Sequence, residues 1–463
     1  MDQNPTTEKL VNGNQSSSVP PEPSLEWWAE KSDVKLPVKV AELRQKLYLK
    51  AKQEPKFRFY ALYDRIYRRD VLSAAWWIVL AKDKSPGADG VTCQDIMNAP
   101  GGAAKFLDDL HDSLKNKTYR PDRVKRTFID KPDGGKRPLG IPTMRDRIAQ
   151  TAAVLILESI FEADFLATSY AYRPGVQAKD AIQAIEGHLQ NGYREVFDAD
   201  LKGYFDSIPH PKLFLAIEKR IADRAVLELL RMWLNCELVE TDSNGKKHVT
   251  RPEKGVPQGG VVSPLLSNIY LHWFEVAFHK ESGPAHFANA KIVRYADDFV
   301  VLARYQGRQL REWLEKTLAV RFELPINREK TRVVNLNVPG CSLDFLSYTF
   351  RYDRDLHGGN HRYLNIFPSR KAMARARDKI RSLTSRSRCF MPVVSMITEI
   401  NKWQTGWANY FSYGYPWKEF RAIHAYVLEK LTKHLKRRSQ RPYRPPVGKS
   451  FYAHVHDLGL HRP

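Results

Sequence analysis

Two adjacent aspartates, Asp297 and Asp298, sit inside Ile292-Val293-Arg294-Tyr295-Ala296-Asp297-Asp298-Phe299-Val300-Val301-Leu302. The flanking runs are short and rich in β-branched and aromatic residues, so they read as two buried strands. Asp-Asp between them reads as a tight hairpin turn. Carboxylates forced together at such a tip repel each other, and a divalent cation is the natural compensation. Alone, the pair reads better as an ordinary solvated turn; the rest of the chain reverses that preference. A third carboxylate, Asp200, ends the run Val196-Phe197-Asp198-Ala199-Asp200-Leu201, where alternation puts Asp198 and Asp200 on one face. Three carboxylates at strand ends suggest one acidic cluster on a sheet. Oxygen ligands without thiolates favour Mg²⁺ or Mn²⁺. Two such ions, roughly 3.5–4 Å apart, clamp the attacking and leaving oxygens of a phosphoryl transfer. Polymerase and nuclease both fit that chemistry. His454, His456 and His461 are a rival metal set but lack a spaced Cys or Glu.

The elements that must carry these groups are partly visible. Residues 1 to about 24 are rich in Asn, Thr, Ser and Pro and read as disordered. Trp27-Trp28 closes that stretch, with its docking place open, and the disordered N-terminal extension is drawn to residue 36. A helical pattern covers about 37 to 82, followed by a loop at Ser85-Pro86-Gly87-Ala88-Asp89-Gly90. Residues 124–131 and 136–142 read as a ribbon around Asp133-Gly134-Gly135. Its cations Lys125, Arg126, Lys131, Lys136 and Arg137 suit phosphates and an ordinary basic hairpin equally. Helices are expected at 103–116, 146–161, 178–189, 211–221 and 225–236, and a polar hairpin at 239–251. Gly255-Val256-Pro257-Gln258-Gly259-Gly260 is a loop whose backbone can approach a ligand closely. Ser263 reads as the cap of the helix that follows. Leu343 to Phe350 reads as one strand. From about 368, Lys371, Arg375 and Lys379 share a helical stripe with Arg377 and Arg381 nearby. A charge run is usually a solvated face, but one so poor in acids fits a phosphate backbone better.

Composition narrows the partner. The 463 residues exceed one core, so two or three domains are expected. A formal net charge of +22 favours a polyanion, either nucleic acid or an anionic membrane. No apolar run approaches the ~18 residues of a membrane span, and the N-terminus carries Asp2 and Glu8 without an apolar core. Nucleic acid is the better partner. Cys93, Cys236, Cys341 and Cys389 form no CxxC pair, which suits a reducing cytosol and argues against a disulfide framework or zinc ribbon.

Motif order separates polymerase from nuclease. Asp200-x-x-x-Tyr204-Phe205-Asp206, Gly255-Val256-Pro257-Gln258-Gly259, Tyr295-Ala296-Asp297-Asp298 and Lys330 together resemble the palm of a reverse transcriptase. Lys131-Pro132-Asp133-Gly134-Gly135-Lys136-Arg137-Pro138-Leu139-Gly140-Ile141-Pro142 and Ser85 to Val91 resemble the fingers of the group II intron-encoded members. Ile400-Asn401-Lys402-Trp403-Gln404-Thr405-Gly406-Trp407-Ala408-Asn409-Tyr410-Phe411 is similar to their maturase domain. Each piece alone is weak; their shared order, over roughly residues 55 to 463, is specific.

The resemblance implies an α+β fold: a right-hand polymerase whose fingers and palm carry antiparallel sheet (37–368), and an α-helical thumb or maturase domain (369–440). Residues 441–463 are then a tail, with no Cys- and His-bearing endonuclease. It implies Asp200 and Asp297 as metal ligands, Asp298 in support and the Leu201 carbonyl as a further ligand, with Asp198 and Asp206 structural. Phe205 becomes the steric gate against a ribose 2′-OH. Gln258 contacts the incoming dNTP, Lys131 and Arg137 its phosphates, and Lys330 acts near the leaving pyrophosphate. The basic stripe with Lys371, Arg375, Lys379 and Arg381 grips the template–primer duplex and intron RNA. The implied partners are group II intron RNA, an RNA template with a DNA primer, and target DNA, in a ribonucleoprotein of the bacterial cytoplasm with no membrane. Two alternatives remain: a related enzyme serving host repair or defence, and a maturase that only binds RNA.

Overall fold

A computed structural model describes residues 24–82, 85–130, 135–242, 244–354, 362–438 and 443–462. The acidic residues lie on a four-stranded antiparallel sheet ordered Arg332–Asn335, Glu195–Ala199, Asp298–Ala303, Lys291–Tyr295. Ile292, Phe197, Phe299, Val301 and Ala303 pack into one core, and Val196, Val293, Val300, Leu302 and Val334 into a second. Burial on both faces explains why these strands read as nearly continuous apolar runs. The first core holds the helix Met144–Glu162, in which only Arg145 escapes burial. It is buried nearly all round although it carries Asp146, Arg147, Gln150, Glu158 and Glu162. The same core also holds Ser263–His279. The second core holds Ala178–Gln190 and a three-stranded antiparallel sheet, Ser342–Phe345, Tyr348–Arg354 and Arg362–Pro368.

The expected ribbon exists as Val124–Asp130 paired antiparallel with Lys136–Ile141. It does not stand alone. Val124, Lys125 and Arg126 pair in parallel with Leu238, Val239 and Glu240, joining the ribbon to the 238–250 hairpin in one sheet. Beyond these sheets, Arg370–Leu383, Val393–Tyr410, Trp417–Arg437 and Phe451–Asp457 form a helical bundle around Ile380, Ile397, Ile400, Ile423, Val427 and Val455. No helix among the described residues is long and apolar enough to cross a membrane.

Several expectations need correction. Residues 24–36 are folded, not an extension. Ser24 caps the short helix Leu25–Trp28, and Glu30–Lys31 pairs with Val34–Lys35. Trp28 is fully buried beneath Arg44, which donates to the Trp28 carbonyl (2.9 Å) and to Glu158 (2.9 Å). The region 37 to 82 is not one helical stretch: after Val38–Gln53 the chain loops, and Phe59 bridges Ile221 before the helix Arg69–Ala81. Leu343–Phe350 is two strands, because Leu346 and Ser347 turn with φ of 47° and 70°. Such hairpins usually announce themselves by Asn-Gly, and Leu-Ser does not. Ser263 is no side-chain cap; its hydroxyl donates instead to the Pro257 carbonyl (2.8 Å), clasping the glycine-rich loop. The end of the described chain is no loose tail either, since Val455 and Leu460 are buried in the bundle.

Candidate active site

Tyr295 pairs with Asp298, so the hairpin turns on Ala296 and Asp297, one residue earlier than Asp-Asp suggested. Asp298 is the first residue of its strand. Ala296 takes φ 58°, a left-handed conformation that disfavours a side chain. The neighbouring strand ends at Ala199, paired with Phe299, and Asp198 pairs with Val300. Asp200 and Asp298 lie at the ends of these paired strands, and Asp200, Asp297 and Asp298 are within one another's electrostatic reach at one sheet end. Asp200 is held by its backbone: its N–H donates to Thr331 Oγ1 (3.2 Å), and its carbonyl accepts from the Asn327 N–H (2.8 Å). Leu201 buries its side chain and bridges Ile326, so only its main chain is available to a ligand.

The electrostatics are those of a site short of positive charge. The surrounding protein, then Asp297, Asp200 and Asp198, push the Asp298 carboxyl up to about 7. Burial also raises Asp297, with Asp200 adding to it and Arg137 and Arg294 opposing. Asp198 pairs with Arg332 (3.1 Å), in keeping with a structural role. Among the described residues, no three carboxylate, imidazole or thiolate groups close into a metal cage by themselves. Mg²⁺ is commonly held by one or two carboxylates, with water and substrate phosphate completing its shell, and this donor set suits that mode. Two of the terminal imidazoles have other partners: His454 bonds Tyr443 and His456 bonds the Leu460 carbonyl (2.6 Å), while the main-chain N–H of His461 donates to Asn401 Oδ1 (3.0 Å).

Beside the acidic end, a cavity of about 1010 Å³ is lined by Arg137, Leu139, Tyr172, Phe205, Gln258 and Gly259, among others. Phe205 lies in the turn Tyr204–Ser207, pinned where its carbonyl accepts from the Val256 N–H (2.7 Å). Gly255, at φ 86°, lets that loop touch Asp206: a Cβ there would stand 2.8 Å from the Asp206 Cα. The Gln258 carbonyl accepts from Gly140 (2.5 Å), and its side chain accepts from Arg137 Nε (2.8 Å). Arg137 and Gln258 thus form one unit across two chain segments. Lys330 is exposed in the turn preceding Arg332–Asn335, next to the Thr331 that anchors Asp200. Lys131 lies outside the described residues.

Lys371, Arg375 and Lys379 are exposed along the helix Arg370–Leu383. Arg375 also donates to Ser347 Oγ (2.6 Å), tying the helix to the Leu346–Ser347 turn. Arg381 is drawn back onto its own bundle by Asp378 and the Tyr426 hydroxyl. Two features were not singled out from sequence. Tyr172 takes φ 57° and lines the cavity, with Asp297 and Arg137 in its field. Arg294 is fully buried beneath the acidic turn. A charged residue breaking the apolar run Ile292-Val293 was the signal for it.

Comparison with known proteins identifies the family. A family described as reverse transcriptase (RNA-dependent DNA polymerase) matches residues 129–355, and one described as group II intron, maturase-specific domain matches residues 373–451. Protein YkfC of Escherichia coli K12 is 32% identical over 368 residues, covering 72% of this chain and 93% of that protein. The group II intron-encoded protein LtrA of Lactococcus lactis is 36% identical over 215 residues, 46% of this chain and 34% of LtrA. Nuclear intron maturase 4 of Arabidopsis thaliana is 27% identical over 184 residues, 39% of this chain and 22% of that one. The chain therefore spans nearly all of YkfC but only about a third of LtrA. With both domains matched in order, the chain belongs to the reverse transcriptase and maturase family encoded by group II introns.

Proposed function

We propose that the acidic sheet end extends a DNA primer on an RNA template, using Mg²⁺ or Mn²⁺ held by Asp200, Asp297 and the Leu201 carbonyl, with Asp298 in support. The observation that supports this reading is a sheet end where the strand pairing stops at Ala199 and Phe299, just before Asp200 and Asp298, and where Asp297 and Asp200 both act on the Asp298 carboxyl, next to the Phe205–Gln258–Arg137 cavity. When bound, the ions supply charge neutralisation on the phosphates and a more acidic primer 3′-OH. The protein's own groups do the rest. Arg137, steadied by Gln258, meets the dNTP phosphates, and Lys131 is assigned the same task. Phe205 closes the floor under the sugar and rejects a ribose 2′-OH. Lys330 stands by the leaving pyrophosphate. Catalysis is then mostly positioning and preorganised charge around an in-line attack of the 3′-OH on the α-phosphate.

The basic face with Lys371, Arg375 and Lys379, and with Arg381 at its margin, is assigned to the template–primer duplex and to intron RNA, read through backbone and shape. Group II intron RNA and target DNA are the proposed partners, in a cytoplasmic ribonucleoprotein. The test is primer extension on an RNA template with Mg²⁺, paired with splicing of the RNA flanking the gene at low Mg²⁺. DNA synthesis that persists in Asp297→Ala overturns the site. Synthesis without any protein-dependent splicing points to a host-serving enzyme of the same chemistry.

A further inference from the structure

Arg294 and Glu275 are fully buried charges, one on the strand that enters the acidic turn and one on the helix Ser263–His279 behind it. Burying an ion pair is a poor route to stability, because desolvation offsets the attraction. Its arrangement suggests what it does instead. One guanidinium nitrogen of Arg294 donates to the Ala296 carbonyl (3.1 Å) and to Asn268 Oδ1 (3.0 Å). The other donates to Ser169 Oγ (2.6 Å) and Glu275 Oε2 (2.6 Å). Glu275 is steadied in turn by the Thr168 hydroxyl (2.8 Å). The backbone repeats the tie: Arg294 N–H donates to the Thr168 carbonyl and its own carbonyl accepts from Tyr170, both at 2.9 Å. Asn268 Nδ2 donates to the Ala171 carbonyl (2.7 Å), next to cavity-lining Tyr172.

The one carbonyl of the turn that this cluster grips belongs to Ala296, whose backbone is in the left-handed region. Asp297 follows directly. A strained turn persists only where its surroundings over-determine it, and here three acceptors, on Asn268, Ser169 and Glu275, fix a planar guanidinium that in turn holds the Ala296 carbonyl. A lysine could not reproduce this, since its ammonium lacks the planar fork.

We propose that Arg294, with Glu275 as its counterion, is a positioning residue that holds the Ala296–Asp297 turn in the geometry needed for divalent-cation binding. The inference rests on reading Asp297 as a metal ligand. It makes the network a determinant of metal affinity rather than a mere core filler.

The experiment compares Arg294→Lys, Glu275→Gln, Ser169→Ala and Asp297→Ala in the full chain. Mn²⁺ affinity is measured without nucleotide by electron paramagnetic resonance, alongside thermal unfolding, kcat per titrated active site and KM for the template–primer. Arg294→Lys is expected to weaken Mn²⁺ binding and lower kcat by ~10–100-fold, the usual effect of losing a group that orients a ligand. KM for the template–primer should not move. Ser169→Ala keeps the ion pair and removes one acceptor, so a smaller shift in the same direction is expected. Should Arg294→Lys fail to fold, Ser169→Ala decides. Wild-type Mn²⁺ affinity and kcat per folded molecule in the folded variants, with only stability lowered, overturns the proposal. Unchanged Mn²⁺ binding in Asp297→Ala overturns the site reading instead, so the two failures are distinguishable.

Discussion

The acidic turn and the basic helix 370–383, both assigned to phosphate in the proposed function, are built in opposite ways. Around Asp297 the backbone is strained, gripped from behind by a buried arginine, and crowded by like charges. Lys371, Arg375 and Lys379 stand exposed on a regular helix whose apolar side, Ala372, Ala376 and Ile380, packs inward. Reacting atoms need fixed positions, and fixed positions cost burial and strain. Holding a polyanion needs only charge of the right sign near its backbone, which long solvated side chains provide at little structural cost. The contrast predicts that changes at the turn alter the reaction and changes on the helix alter occupancy.

The largest expected effect tests the first half. Asp297→Ala should cut primer extension by ~10³-fold or more, because charge stabilisation at the reacting phosphate is lost, while RNA affinity by filter binding stays at the wild-type value. Next, replacing Lys371, Arg375 and Lys379 together with alanine should weaken RNA binding. The log–log salt slope should flatten by ~2–3, one increment per lost phosphate contact. The single-turnover rate of saturated complexes should not change; a fall in that rate would erase the contrast. A subtler break is Ala296→Gly. Relief of ~1–2 kcal/mol of left-handed strain, set against one lost buried methyl at ~0.8 kcal/mol, should leave unfolding stability equal or slightly higher. Synthesis should nevertheless drop several-fold as the turn loosens.

The smallest effect concerns a buried carboxyl on neither side of the comparison. Asp146 accepts from the Tyr119 hydroxyl (2.5 Å), the Asp122 N–H (2.9 Å) and Thr143 (3.0 Å), yet burial raises it from 3.8 to about 6. A carboxyl raised by folding contributes stability below its unfolded value and loses it as pH climbs through the folded one. Between pH ~4 and ~6 the wild type should therefore lose stability that Asp146→Asn does not, and melting curves of the pair should converge at the acid end.

The sequence made the acidic centre legible because its carboxylates end apolar strands, and the Gln258 loop because its glycines demand close backbone approach. The helices at 103–116, 146–161 and 178–189 were legible from periodicity, to within a few residues. What escaped had no local signature. The parallel pairing of Val124–Arg126 with Leu238–Glu240 joins segments more than a hundred residues apart. The Leu346–Ser347 turn adopts positive φ without glycine or asparagine. Trp28 was visible, but nothing near it in the chain named Arg44 as its cover. The Arg294 cluster draws on residues 168, 169, 268, 275 and 294, and only folding collects them.

The ties at the root of the helical bundle have a mechanical consequence. The hydroxyl of Tyr348 bonds the Tyr410 carbonyl, the hydroxyl of Tyr410 bonds the Leu346 carbonyl (2.9 Å), and Tyr413 bonds Glu186. These contacts anchor the bundle where Arg370–Leu383 begins and Val393–Tyr410 ends, leaving residues 384–392 at the far end. The bundle is therefore a lever with its fulcrum on the palm. Fourteen helical residues give an arm of about 20 Å at ~1.5 Å per residue. A tilt of about 10° at the tyrosines would carry the tip through roughly 3.5 Å, and Lys379 would move farther than Lys371 at the root.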